Sequence, residues 1–229
     1  NIGRTLIEEP SEQERLAKLD LQAGEKAKTS AAFQQALIYF EIGIEILSLS
    51  PGMTGVDGWE KQYHQILQLH NQAAETAYLS VNFDKMDELI EKVLKHAKTL
   101  LDKVSVYQTR IQAQTAMNKP LEAIEVALLV LKEFEVEFPQ TPTNQDVFHG
   151  SKAIKALLLE KNRSIKDLTK LPIMEAPEQL AILGLLQRII SVSYVAAPNL
   201  WGLLLCEMVK FSIQHGNAPA SISGYAAYG

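Results

Sequence analysis

The sequence predicts an all-α chain of stacked antiparallel helix pairs. Three observations carry that reading. Apolar residues recur at helical spacing, as in Ala36, Phe40, Gly43, Ile44 and Leu47, which places one stripe on one helix face. The same pattern of small and apolar residues returns fifty positions later, and no run of alternating apolar residues reads as a strand. One helix pair cannot bury such a stripe alone, so it calls for a neighbouring pair.

The organising stretch is Leu21 to Leu47, two helices meeting at a tight turn near Ser30. Gly24, Ala27, Ala36 and Gly43 sit where helix surfaces must approach closely. Phe33, Leu37, Phe40, Ile44 and Leu47 fill the seam. Fifty residues on stand Ala74, Ala77, Phe83, Met86, Ile90 and Val93. A looser third copy runs through Ala113, Ala116, Ala123, Ala127 and Val130, and its turn is expected to be shorter. The pattern resembles the tetratricopeptide repeat (TPR), although the offsets of fifty and then about thirty-seven exceed its usual ~34. The expected architecture is a divergent, TPR-like α-solenoid.

In order, residues 1–9 are expected to form a helix end docked on the first pair. Pro10-Ser11-Glu12 opens the first long helix, with Ser11 as its cap and acidic residues in its first turn. Helices are predicted at 11–28, 31–49, 59–80, 83–99, 102–117 and 120–135, with residues 50–58, rich in glycine and proline, as a loop. Asp84 to Glu91 alternates charge at helical spacing, the mark of a solvated face. Glu137 to Asn144 carries two prolines and is the internal break in a single array spanning 1–229. Further helices are predicted at 144–161, 164–170, 176–196 and 198–215, with Pro198 in a first turn and Gly216 as a stop. A last, truncated helix contains Ser223 to Tyr228.

Composition narrows the function. The chain has 229 residues and a net charge of −5 without a basic stripe, which argues against nucleic acid as the partner. Cys206 is the only cysteine, so no disulfide can form within the chain; it is expected to be a buried thiol in a reducing, cytoplasmic compartment. No phosphate loop, dinucleotide fingerprint, nucleophile elbow or zinc-protease motif is present. The five histidines are scattered, and His64 and His70, six apart, do not share a helix face. They are read as surface or packing residues, with no metal and no cofactor implied. The run Ile189 to Cys206 is eighteen residues without a charge, long enough to span a membrane. Pro198-Asn199 in its middle makes two buried helices the better reading.

Several strings together resemble one family: Ile2-Gly-Arg4, Leu21-Gln-Ala-Gly-Glu-Lys-Ala-Lys28, Ala73-Ala-Glu-Thr-Ala-Tyr78, Lys98-Thr-Leu-Leu-Asp-Lys103 and Glu135-Val-Glu-Phe-Pro139. Leu171-Pro-Ile-Met174, Tyr194-Val-Ala-Ala-Pro198 and Gly216-Asn-Ala-Pro219 extend the likeness nearly to the end. They look like the helical region that follows the AAA/STAND-type ATPase module in large bacterial, cyanobacterial-type signalling kinases. Such kinases carry a serine/threonine kinase domain, the ATPase, this region, a GAF domain and often a histidine kinase. The resemblance implies a regulatory solenoid within a larger protein, without catalysis of its own. One departure stands out. Only Thr5 to Asp20 separate the first two strings, where the family has a further helix, which implies a shortened member or residues missing between Glu9 and Pro10.

Two functional expectations follow. As an interaction module, the chain would hold other domains of the same protein or a peptide on the first helices of each pair, through Lys18, Gln22, Tyr63, Gln72 and Gln108. As a sensor, it would enclose an apolar small molecule or dock a neighbour near Tyr194, Trp201, Met208, Ile222 and Tyr225. Ala218 to Gly229 carries no charge, and this end is expected to be an apolar surface that self-associates or is covered by a further repeat.

Overall fold

A computed structural model describes residues 9–48 and 55–228. Within them the chain is all-helical, in the order α1 (Pro10–Thr29), α2 (Phe33–Ser48), α3 (Gly55–Lys61), α4 (Tyr63–Leu79), α5 (Phe83–His96), α6 (Leu100–Ala116), α7 (Pro120–Glu133), α8 (Asn144–Glu160), a 3-10 turn (Ile165–Lys170), α9 (Pro177–Ala196), α10 (Pro198–His215) and α11 (Ser221–Tyr228). No strand occurs among the described residues; a single parallel bridge links Ile173 and Asn217. Two compact units form, Asn1–Arg110 and Ile111–Gly229, so the division falls inside α6. The break predicted at 137–144 is a loop of the second unit. Residues 1–8, with the Ile2-Gly3-Arg4 string, lie outside the described residues.

The repeat is written in the turns. After α1, the Ala31 N–H donates to the Lys28 carbonyl (2.9 Å) and the Ala32 N–H to the Ala27 carbonyl (2.9 Å). After α4, Val81 donates to Tyr78 (2.9 Å) and Asn82 to Ala77 (2.8 Å); after α6, Asn118 donates to Thr115 (3.1 Å) and Lys119 to Gln114 (2.9 Å). Each is a Schellman stop, which satisfies the last helical carbonyls and needs one residue in the left-handed region. Ala31, Val81 and Asn118 occupy that slot with φ of 58°, 60° and 58°. The third turn is therefore the same length as the others, not shorter. Glu135 and Asn162 end α7 and α8 in the same conformation.

In the first unit, α1 packs on α2, α2 on α4 and α4 on α5. Buried Phe40 lies over Gly24, where an added Cβ would come within 2.4 Å of the ring. Gly43 sits at the crossing of α2 with α4: a Cβ there would lie 2.8 Å from Leu69 and 3.5 Å from the Ala17 carbonyl. Fifty residues on, Ala74, Ile90 and Val93 are fully buried. The second pair meets the same demand with a methyl where the first has no side chain. The segment expected to be one helix over 59–80 is broken at Gln62, and Gly55 to Gly58, expected to be loop, is helical. Ser11 is not the cap of α1. Glu9 occupies that position without a side-chain bond, and Pro10, which has no N–H to leave unpaired, starts the helix.

In the second unit α10 is central, packed against α8, α9 and α11. Ile154 and Leu158 of α8, Leu168, Leu171, and Cys206, Val209 and Ile213 of α10 form one apolar cluster, with Tyr225 of α11 against it. The uncharged run breaks between α9 and α10, where Ala197 is non-helical. Among the described residues α9 alone is long and apolar enough to cross a membrane, and it packs on α7 and α10.

Candidate functional site

The first helices of the first two pairs lie side by side and are joined by a polar row. Gln65 Nε2 donates to the Glu14 carbonyl (3.1 Å) and Gln68 Nε2 to Glu25 (3.3 Å). The Lys28 ammonium donates to Gln72 and to Glu75 (2.8 Å). Positions 65, 68, 72 and 75 recur at three- and four-residue intervals, so they share one face of α4. Of the five residues predicted to form an interaction face, Lys18 and Gln22 are exposed on α1 and Gln72 belongs to this row. Gln108 is half-buried on α6.

Tyr63 has a different position. It is buried, its hydroxyl donates to Asp102 (2.6 Å) and accepts the Lys98 N–H (2.7 Å), and the Lys98 ammonium stands 4.2 Å from its ring centre. Asp102 also caps the start of α6 by accepting the Thr99 N–H (2.9 Å). Burial pushes the Asp102 carboxyl upward, but the Tyr63 and Thr99 hydrogen bonds outweigh it and hold the group below its ordinary range. Burial, followed by the bond to Asp102, raises the Tyr63 phenol. Tyr63 is thus a strut between α4 and α6, not a surface contact.

Beside it is a cluster that sequence reasoning missed. The Trp59 indole of α3 stacks on His96 (5.0 Å, 10°), tilts against His70 (4.9 Å) and lies 6.1 Å from Tyr63. Gly58 lets α3 come this close, since a Cβ there would meet the Leu47 carbonyl at 2.9 Å. His70 is buried, with Nδ1 2.8 Å from the Ile66 carbonyl, so Nδ1 carries the donated proton in the neutral ring. Burial lowers its pKa from 6.5 to about 4; burial and then Lys95 lower that of His96. Both are packing histidines, as expected, yet their convergence on one indole comes from three different helices and no spacing announces it.

The five residues predicted for an apolar pocket do not converge. Tyr194 and Trp201 meet edge to face at 5.2 Å, with Tyr194 62% exposed. Met208 is fully buried under α11, and Ile222 is 68% exposed. Tyr225 donates its hydroxyl to Asn217 (2.6 Å). That asparagine is a hub. Its N–H donates to the Pro172 carbonyl (2.7 Å), its carbonyl accepts the Met174 N–H (2.8 Å), and its Nδ2 donates to the Leu168 carbonyl (2.8 Å). Two clefts are present elsewhere. One of about 530 Å³ is lined by Ala31 to Gln35, Ile38 and Ser80, and one of about 420 Å³ by Lys132, Glu135 to Glu137, Glu207 and Lys210. Cys206 is buried, and burial and then Glu207 push its thiol pKa up, the opposite of an activated nucleophile. Among the described residues no group of three or more ligand-type side chains could hold a metal.

Comparison with known proteins gives one informative similarity. Over 135 residues, 58% of this chain, the sequence is 28% identical to hybrid signal transduction histidine kinase G of Dictyostelium discoideum. The match spans 4% of that protein, so nearly all of it lies outside the shared region. No family model and no solved structure matches. The chain therefore resembles a small part of a signal transduction histidine kinase.

Proposed function

We propose that this chain is a non-catalytic interaction module within a cytoplasmic, multi-domain signal-transduction kinase. The observation that carries the proposal is the side-by-side alignment of α1 and α4, whose polar row holds the first helices of successive pairs in one surface. A surface already assembled leaves most of the ordering cost to the bound segment. The similarity to part of a histidine kinase supports the signalling context. The finer reading, in which the module couples an AAA/STAND-type ATPase to serine/threonine or histidine kinase output, rests on the packing strings. Two of those strings meet in the Lys28–Glu75 pair.

The test is titration calorimetry of this chain against each flanking domain of its parent protein. The expected outcome is micromolar binding to one of them, weakened at least tenfold by Lys18→Glu together with Gln22→Glu. The absence of interaction with every flanking domain at high micromolar concentration would sink the proposal. Measurable nucleotide hydrolysis by the isolated chain would overturn its non-catalytic part. The small-ligand alternative would need an apolar molecule whose binding perturbs Trp201 emission and is lost in Tyr194→Ala.

A further inference from the structure

We propose that the Trp59 cluster is an acid-sensitive latch: charging the buried His70 imidazole against the indole releases α3 from the second helix pair. α3 is seven residues long, so helix propensity alone does not hold it. It is attached through the buried indole, which lies against His70 of α4 and His96 of α5, through the backbone at Gly58 pressed against the end of α2, and through the Gln62 N–H, which donates to the Gly58 carbonyl (3.0 Å). A neutral ring suits the His70 site, where an imidazolium would be enclosed with little water to solvate it, whereas His96 is only half-buried.

The charges around the rings reinforce that preference. Lys85 and Lys92 of α5, together with His96, bear on His70, and Lys95 bears on His96. All are cations or become cations in acid. The nearby carboxylates are engaged elsewhere. Glu41 and Glu88 pair with Lys85, Glu88 pairs with Lys92, and Asp102 accepts from Tyr63 and Thr99. On α3 itself, Glu60 and Lys61 flank the tryptophan on the exposed side, and His64 of α4 is exposed with its ring 5.5 Å from Tyr63. Proton uptake by His70 therefore places a positive charge where the neighbouring carboxylates are already paired with lysines. His70 has its one described hydrogen bond to a carbonyl of its own helix and can give up the indole without unwinding α4. The cheapest response is to let α3 swing away and water enter.

The chain holds two tryptophans, Trp59 and Trp201, so emission from the Trp201→Phe protein reports the latch alone. The expected result is a red shift of Trp59 emission as pH falls from 7 to 4.5, while helical circular dichroism holds within a tenth of its neutral value. In the Trp201→Phe background, His70→Gln with His96→Gln should abolish the shift. Emission unchanged down to pH 4.5, or the same midpoint in the double variant, overturns the proposal. Should the double variant fail to fold, hydrogen exchange on the unaltered protein decides, with rates corrected for intrinsic pH dependence. Protection of the α3 amides should then fall at least tenfold by pH 4.5 while that of α1 and α2 is retained. Uniform loss across all three helices, or none in α3, means there is no latch.

Discussion

The two units solve the same packing problem by different means. In the first, each hairpin is set by a backbone turn that recurs unchanged at Ala31 and Val81, and the seams are filled by side chains whose size alone matters: nothing at Gly24, a methyl at Ala74, a ring at Phe40, a branched chain at Ile90. In the second, a single asparagine ties the 3-10 turn, the extended segment at 172–174 and α11 together through four hydrogen bonds. Repetition spreads the specification over many replaceable contacts, whereas a hub concentrates it in one residue. A hub is also unforgiving of its neighbour. Gly216 has φ 105° and ψ −177°, a conformation open essentially to glycine, and a Cβ there would sit 2.5 Å from the Pro172 carbonyl.

The largest expected effect is on the first unit and comes from acid. His70 binds its proton at about 4 when folded, against 6.5 when unfolded, so its contribution is fully present above pH 6.5 and is lost as pH falls toward 4. The loss amounts to roughly 3 kcal/mol, at about 1.4 kcal/mol per pKa unit. Urea melts at pH 7 and pH 4.5 should show it, and His70→Gln should flatten the difference. An equal acid loss in that variant would place the sensitivity elsewhere.

Next is the seam. Gly43→Leu should cost roughly 1–3 kcal/mol by overpacking against Leu69, read as a lower melting temperature. An unchanged melting temperature would mean that α2 and α4 do not cross there. The hub should respond comparably to a far smaller change. Asn217→Ala removes the Tyr225 hydroxyl's acceptor and leaves the Leu168 carbonyl only the longer bond from the Leu171 N–H (3.3 Å), and should cost roughly 1–2 kcal/mol. Hydrogen exchange should locate that loss in 165–176 and α11; a change confined to α8 would contradict the assignment. The smallest effect has the opposite sign. Val81 is β-branched, 70% exposed and held at φ 60°, so Val81→Gly relieves steric strain and loses little buried area. After the entropy cost of glycine, a gain of roughly 0.5 kcal/mol should appear as a higher urea midpoint. A lower one would show that the valine methyls pack.

What was legible in the sequence divides along the same line. The repeat could be read because its determinants lie close together in the chain: Gly24 and Phe40 mark one hairpin, and their counterparts return at a constant offset. The all-helical class, the split of the apolar run at Pro198 and the stop at Gly216 follow from residues whose backbone limits are intrinsic. The Trp59 cluster could not be read, because Trp59, His70 and His96 meet only after three helices have packed. Asn217 was visible as a turn residue and as part of a family string, but no local pattern says that an asparagine will bond a carbonyl 49 residues away. Of the residues expected on an interaction face, Lys18 and Gln22 are exposed on α1 and Gln72 lies in the α1–α4 row, but no local pattern says that Tyr63 turns inward to Asp102.

The recurring turn has one more consequence, which concerns length. α4 and α5 begin twenty residues apart, and so do α6 and α7, whereas α2 begins thirty residues before α4 and α5 only seventeen before α6. With α1 and α2 beginning twenty-three residues apart, the larger irregularity resides between hairpins, most of it in the stretch that includes α3. A hairpin whose register is fixed by its own six-residue stop is indifferent to how much chain precedes the next one. Such an array can take a segment of different length at a joint without redesigning a seam, as the stretch carrying α3 shows.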